Sequence, residues 1–94
     1  MTRDQVLAWL DARRPVPPRA LRERLDRAVE HRLPAPGSGL PEYLAQVGQA
    51  LLESVAAKPE GGRELALDLL AADAFATYAF EAHAEEGKGT AHET

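Results

Sequence analysis

The stretch that most constrains this chain is residues 63–86, RELALDLLAADAFATYAFEAHAEE. At 1.5 Å per residue it predicts one helix of about six and a half turns, roughly 36 Å long. The helix is apolar around its whole circumference. Leu65, Leu69, Ala72, Ala76 and Phe80 follow one side, and Leu67, Leu70, Ala71, Ala74, Phe75 and Tyr78 follow the others. A surface helix shows one apolar stripe, whereas a helix apolar all round is buried centrally. A chain of 94 residues makes one domain with a modest core. Cover for this helix must therefore come from the chain's other helices, from a second copy, or from both.

The rest of the chain supplies three further helices. Thr2 and Gln5 have capping-box spacing, and Val6, Leu7 and Leu10 share a face with Trp9 beside it, so a helix is predicted over 3–13. The PVPP run at 15–18 ends it and turns a corner. A second helix, 18–32, carries a narrow stripe of Leu21, Leu25, Ala28 and Val29, flanked by opposite charges four residues apart. LPAPGSG at 33–39 reads as a loop and the one hinge. Pro41 then opens a third helix over 41–57, whose apolar face runs Leu44, Val47, Leu51 and Val55. Gly48 lies on that apolar side. Glycine costs a helix about 1 kcal/mol against alanine, so a close approach by another helix is expected there. KPEGG at 58–62 is short enough to fold the third and fourth helices into an antiparallel hairpin. That hairpin leaves about two turns near Tyr78 and Glu86 for the N-terminal helices or a second subunit to cover. Gly87 reads as the residue that stops the long helix, with 88–94, KGTAHET, as a disordered polar tail.

Composition narrows the function classes. With no cysteine, a disulfide framework, a thiolate metal site and a cysteine nucleophile are excluded. The N-terminal segment lacks the apolar run of a secretory signal, and the most apolar run, 69–80, is too short and too polar to span a bilayer. These features fit a soluble cytoplasmic protein, and eighteen alanines with arginine as the main base fit a GC-rich bacterial genome. The net charge of −4 conceals an asymmetry: residues 1–36 carry +3 and residues 37–94 carry −7. Opposite halves can attract one another within a chain or across a dimer, whereas a nucleic-acid binder more often shows a strongly basic domain as a whole.

Few residues invite chemistry. Asp73 stands among Leu69, Leu70, Ala76 and Phe80, where a carboxylate is costly unless paired or wet. The structural reading makes the line Asp73, Thr77, Glu81, Glu85 a solvent seam, or pairs Asp73 with an arginine from 13–32. The functional reading places Asp73 in a small-ligand pocket with a raised pKa. Trp9 and Tyr78 read first as core anchors and second as partner contacts. Trp9, Asp73, Thr77 and Tyr78 are therefore the candidate ligand or partner contacts. Arg13, Arg14, Arg19 and Arg22 are the candidate anion contacts, although their acidic neighbours favour a salt-bridged face. No ligand set for a metal and no phosphate loop is present, so no metal and no cofactor is expected. His83 with Glu86 reverses the order that di-metal bundles use.

The expected fold is all-α: a small helical bundle of about four helices with a long C-terminal hairpin, dimerising. Residues 1–87 form its single helical domain. The expected function is a non-enzymatic protein–protein interaction or regulatory module acting as a homodimer. The alternatives are a nucleic-acid-associated protein using residues 13–32, or a small-ligand-binding protein with Asp73 in its pocket.

Overall fold

The computed structural model describes residues 1–57 and 62–92, with side chains through Gly87. Among these residues the chain is all-helical. Helix α1 spans Arg3–Asp11, α2 Arg19–His31, α3 Leu40–Ala56 and α4 Arg63–His92. The connection at 58–62 falls, Gly62 apart, outside the described residues.

Local chemistry explains where these helices begin. The Thr2 hydroxyl accepts from the Gln5 backbone N–H at 3.2 Å, and the Thr2 N–H donates to the Gln5 side chain at 2.8 Å, closing the predicted capping box. Pro18 stands at the N-cap of α2, and Pro41 lies in the first turn of α3, where a missing N–H costs nothing. Gly37, at φ +84°, makes the turn in the α2–α3 loop.

Helices α3 and α4 pack side by side, antiparallel, and make the most extensive contact in the molecule. Gly48 explains how closely they approach. A Cβ on Gly48 would lie 3.1 Å from the Phe75 Cβ and 3.3 Å from the Ala72 carbonyl oxygen. Only a residue without a side chain fits there unstrained, which is the close approach expected from the sequence. Phe75, Leu44, Val47 and Ala71 fill the hairpin's inner face.

Helices α1 and α2 cover that inner face. Val6, Leu10, Leu25 and Val29 are fully buried against it. Arg3 of α1 reaches Glu30 of α2 at 3.0 Å, and Arg22 of α2 returns to Asp11 at 2.7 Å. The Tyr43 hydroxyl donates to the Arg32 carbonyl at 2.5 Å, fastening the start of α3 to the end of α2.

One expectation needs correction. The long helix does not stop at Gly87 but continues to His92. Gly87 lacks the positive φ that a terminating glycine adopts, and nothing approaches its Cα, so the helical ladder runs on through it. Within the single chain α4 is covered on one side only. Asp68, Ala71, Phe75 and Ala82 are buried, whereas Leu69, Leu70 and Phe80 are 45%, 57% and 78% exposed. Three short helices cannot encircle a fourth of thirty residues.

The Gly48 contact predicts a graded response. Gly48→Val should lower the unfolding free energy in urea by about 1–3 kcal/mol through overpacking. Gly48→Ala should lose less, because the gain in helix propensity of about 1 kcal/mol offsets part of the strain. A Gly48→Val protein as stable as the parent would mean that the two helices are not held this closely.

Candidate interaction surface

The candidate residues fall into two groups on opposite faces of α4. The first group ties α1 to α4. Tyr78 meets Trp9 edge to face, with ring centroids 5.8 Å apart and an interplanar angle of 80°. The Arg13 guanidinium lies 3.6 Å above the Trp9 ring. Arg13 also reaches Glu85 at 3.1 Å and Glu81 at 3.4 Å, and the Trp9 indole N–H donates to Glu85 at 3.1 Å. Aromatic pairing, cation–π attraction and charged hydrogen bonds thus converge on one contact. It holds α1 against the side of α4 that carries Tyr78, Glu81 and Glu85. Trp9 and Tyr78 serve here as internal anchors.

The arginines considered for anion contact are occupied in the same way. Arg13 holds Glu81 and Glu85, Arg19 holds Glu23 at 3.2 Å, and Arg22 holds Asp11 and Asp26, each at 2.7 Å. Arg14 donates to the carbonyls of Asp11 and Arg13. Four of the seven arginines in 13–32, Arg13, Arg19, Arg22 and Arg24, therefore hold carboxylates within the fold.

The buried acid of α4 is Asp68, at 4% exposure, whereas Asp73 is exposed. The two lie about 140° apart around the helix at 100° per residue. Helix α2 docks on the Asp68 side, where Arg24 donates to that carboxylate from a side chain only 19% exposed. An arginine from 13–32 does neutralise an acid of α4, but the acid is Asp68. Of the line that begins at Asp73, Asp73 and Thr77 remain in solvent, while Glu81 and Glu85 turn to Arg13. Trp9, Asp73, Thr77 and Tyr78 thus do not converge on one site.

On the outer face of the hairpin lies an open groove of about 770 Å³. Its walls are α3 and α4 alone. The antiparallel order gives it two broad ends and a narrow waist. Leu52 and Leu69 stand at one end, and Pro41, Phe80 and His83 at the other. Between them Ala45, Gly48, Ala72 and Ala76 form a shallow floor. Leu52, at 47%, joins Leu69 and Phe80 as a large exposed apolar side chain. Fully burying a side chain of this size is worth about 1.5–3 kcal/mol, so the groove is a costly surface to leave wet. Asp73, Glu42 and His83 are its ionisable groups. A second hollow, of about 940 Å³, lies between α2, α3 and α4 and mixes Arg24, Arg27, His31 and Arg32 with Glu53, Glu64 and Asp68.

Leu52, Ala45 and His83 were absent from the candidates drawn from the sequence. The signal was a spacing. On α4, Asp68, Ala71, Phe75, Tyr78 and Ala82 repeat at three and four residues, and so do Leu69, Ala72, Ala76, Ala79 and His83. The first line is the inner seam and the second faces the groove. Among the described residues no three His, Asp or Glu side chains gather as for a metal ion, and no helix is long and apolar enough to cross a membrane.

Two outcomes follow for the buried polar groups. Arg24→Leu should destabilise the fold by about 3–5 kcal/mol in urea titrations, because it takes a charged donor away from a buried carboxylate. Tyr43 is pushed up by burial to about 12, and Tyr78 is raised by burial and by Glu81. A folded-state pKa above the ordinary 10.0 adds stability that is complete below pH 10 and drains away toward pH 12. Phenolate absorbance of the native protein should therefore rise well above pH 10, and in urea near 10. Identical titration curves in the two states would exclude burial of both rings. Comparisons with protein-family models, curated proteins and solved structures find no match to this chain.

Proposed function

We propose that this chain is a non-enzymatic protein–protein interaction module, of structural or regulatory kind, that acts by covering the α3–α4 groove with another apolar helical surface. The observation that carries the reading is the grouping of Leu52, Leu69 and Phe80 along one groove at 47%, 45% and 78% exposure. Scattered apolar residues need no explanation, but a continuous patch on a small domain marks a binding surface. The floor of alanine and glycine supports a helix as the occupant, because small residues let helix axes come to about 8 Å. The absence of a converging chemical set in the sequence favours binding over catalysis. The arginine-rich segment is the weaker candidate, since four of its seven arginines are ion-paired within the fold.

Site-specific photo-cross-linking in living cells tests this. A benzophenone side chain at position 80 or 52 should yield protein adducts, and the same group at Gln46, exposed and away from the groove, should not. Equal labelling at all three positions, or none at 80 and 52, would overturn the reading.

A further inference from the structure

We propose that the occupant of the groove is a second copy of this chain, with α4 running antiparallel along α4 of the other copy and crossing it at Ala76. The inference rests on the interaction reading above and supplies its partner.

The first argument is shape. Phe80 is the most exposed large apolar side chain on the described surface, and it stands beside a floor that has no side chain larger than a methyl group. Within one molecule Phe80 cannot reach that floor, because it lies on the same helix, four residues or about 6 Å beyond Ala76. A twofold axis through Ala76, in the plane of the interface and across the helices, reverses that displacement. It sets the Phe80 of one copy at the level of Ala72 in the other. Gly48 lies at this same level, its Cα facing the Ala72 carbonyl. Projection and hollow thus belong to one surface and fit each other on reversal, as an isologous interface requires.

The second argument is spacing. Leu69, Ala72, Ala76, Ala79 and His83 form a heptad seam on α4 displaced by one residue, about 100°, from the seam that α1, α2 and α3 occupy. A helix with two such seams has two sets of neighbours, as in a four-helix bundle. Helix α3 repeats the pattern outward with Pro41, Ala45, Gly48 and Leu52. Two hairpins laid face to face satisfy all four outward seams at once, which a single added helix does not.

The third argument is charge. Antiparallel reversal sets Asp73 about one helical turn from the other copy's His83 along the axis. Side chains lean toward the N-terminus of their own helix, so these two lean toward each other. The carboxylate gains an imidazole donor at the rim, twice over. The same alignment also opposes the two helix dipoles.

The absence of cysteine makes the test direct. Ala76→Cys places one thiol at the axis, within disulfide reach of its copy. Leu69→Cys places it seven residues, roughly 10 Å, from the axis, so the two thiols stand some 21 Å apart. Mild oxidation of the purified chain should convert Ala76→Cys to a covalent dimer and leave Leu69→Cys monomeric. Sedimentation equilibrium of the unmodified chain should give twice 10.2 kDa. Phe80→Glu should weaken that association by more than about tenfold with helical circular dichroism retained. Cross-linking of Leu69→Cys as readily as Ala76→Cys overturns the antiparallel register. A monomer at millimolar concentration with full helix content overturns the proposal. If photo-cross-linking at position 80 then still captures a different protein in cells, the interaction reading stands and only its partner changes.

Discussion

The contact between α3 and α4 at Gly48 sets the geometry on which the rest of the molecule depends. Without a side chain at that position, the two helices close until a Cβ would sit 3.1 Å from that of Phe75. Phe75 is then enclosed completely, at 0% exposure. The inner face that results is flat enough for two short helices to dock with Val6, Leu10, Leu25 and Val29 fully covered. The outer face inherits the same closeness as a shallow floor of glycine and alanine. Core and groove are two sides of one packing decision.

Electrostatics completes what apolar packing begins. The basic N-terminal third and the acidic remainder meet across the fold. Arg24 enters beside Asp68, and Arg13 spans Glu81 and Glu85 while stacking on Trp9. Exposed ion pairs contribute little singly, but Asp68 is removed from water and Arg24 largely so, which ties the two together. These pairs fix the rotation of α4 by choosing which of its acids turns inward. Five of the eight arginines in residues 1–36 hold carboxylates in this way.

A chain this small has little material with which to cover a helix of thirty residues. One side of α4 faces α1, α2 and α3, and the other keeps Leu69 and Phe80 in water beside Leu52 of α3. The proposed function follows from that remainder. A self-complementary surface makes the economical use of it, because one sequence then provides both projection and hollow. Trp9 and Tyr78, the residues most suggestive of partner contact by type, are used internally, where α1 packs against α4.

The helices and their starts were legible in the amino-acid sequence, because capping and periodicity act within a few residues: the Thr2–Gln5 box, Pro18 and Pro41 each stand where a helix begins. Gly48 was legible as a point of close approach, since a glycine on an apolar helical face has few other uses. The end of α4 was not, because a glycine either stops a helix or lies within it according to its φ, and composition does not set that angle. The sequence alone also showed that α4 is apolar around its whole circumference and needs cover from its own chain or from a second copy. Only the tertiary structure decided how that surface divides. Asp68 and Asp73 are the same residue type on the same helix, about 140° apart, and either could meet an arginine. Docking of α2 buried one with Arg24 and left the other at the groove, because burial depends on which face meets a neighbour, and that is settled by packing at long range in the chain.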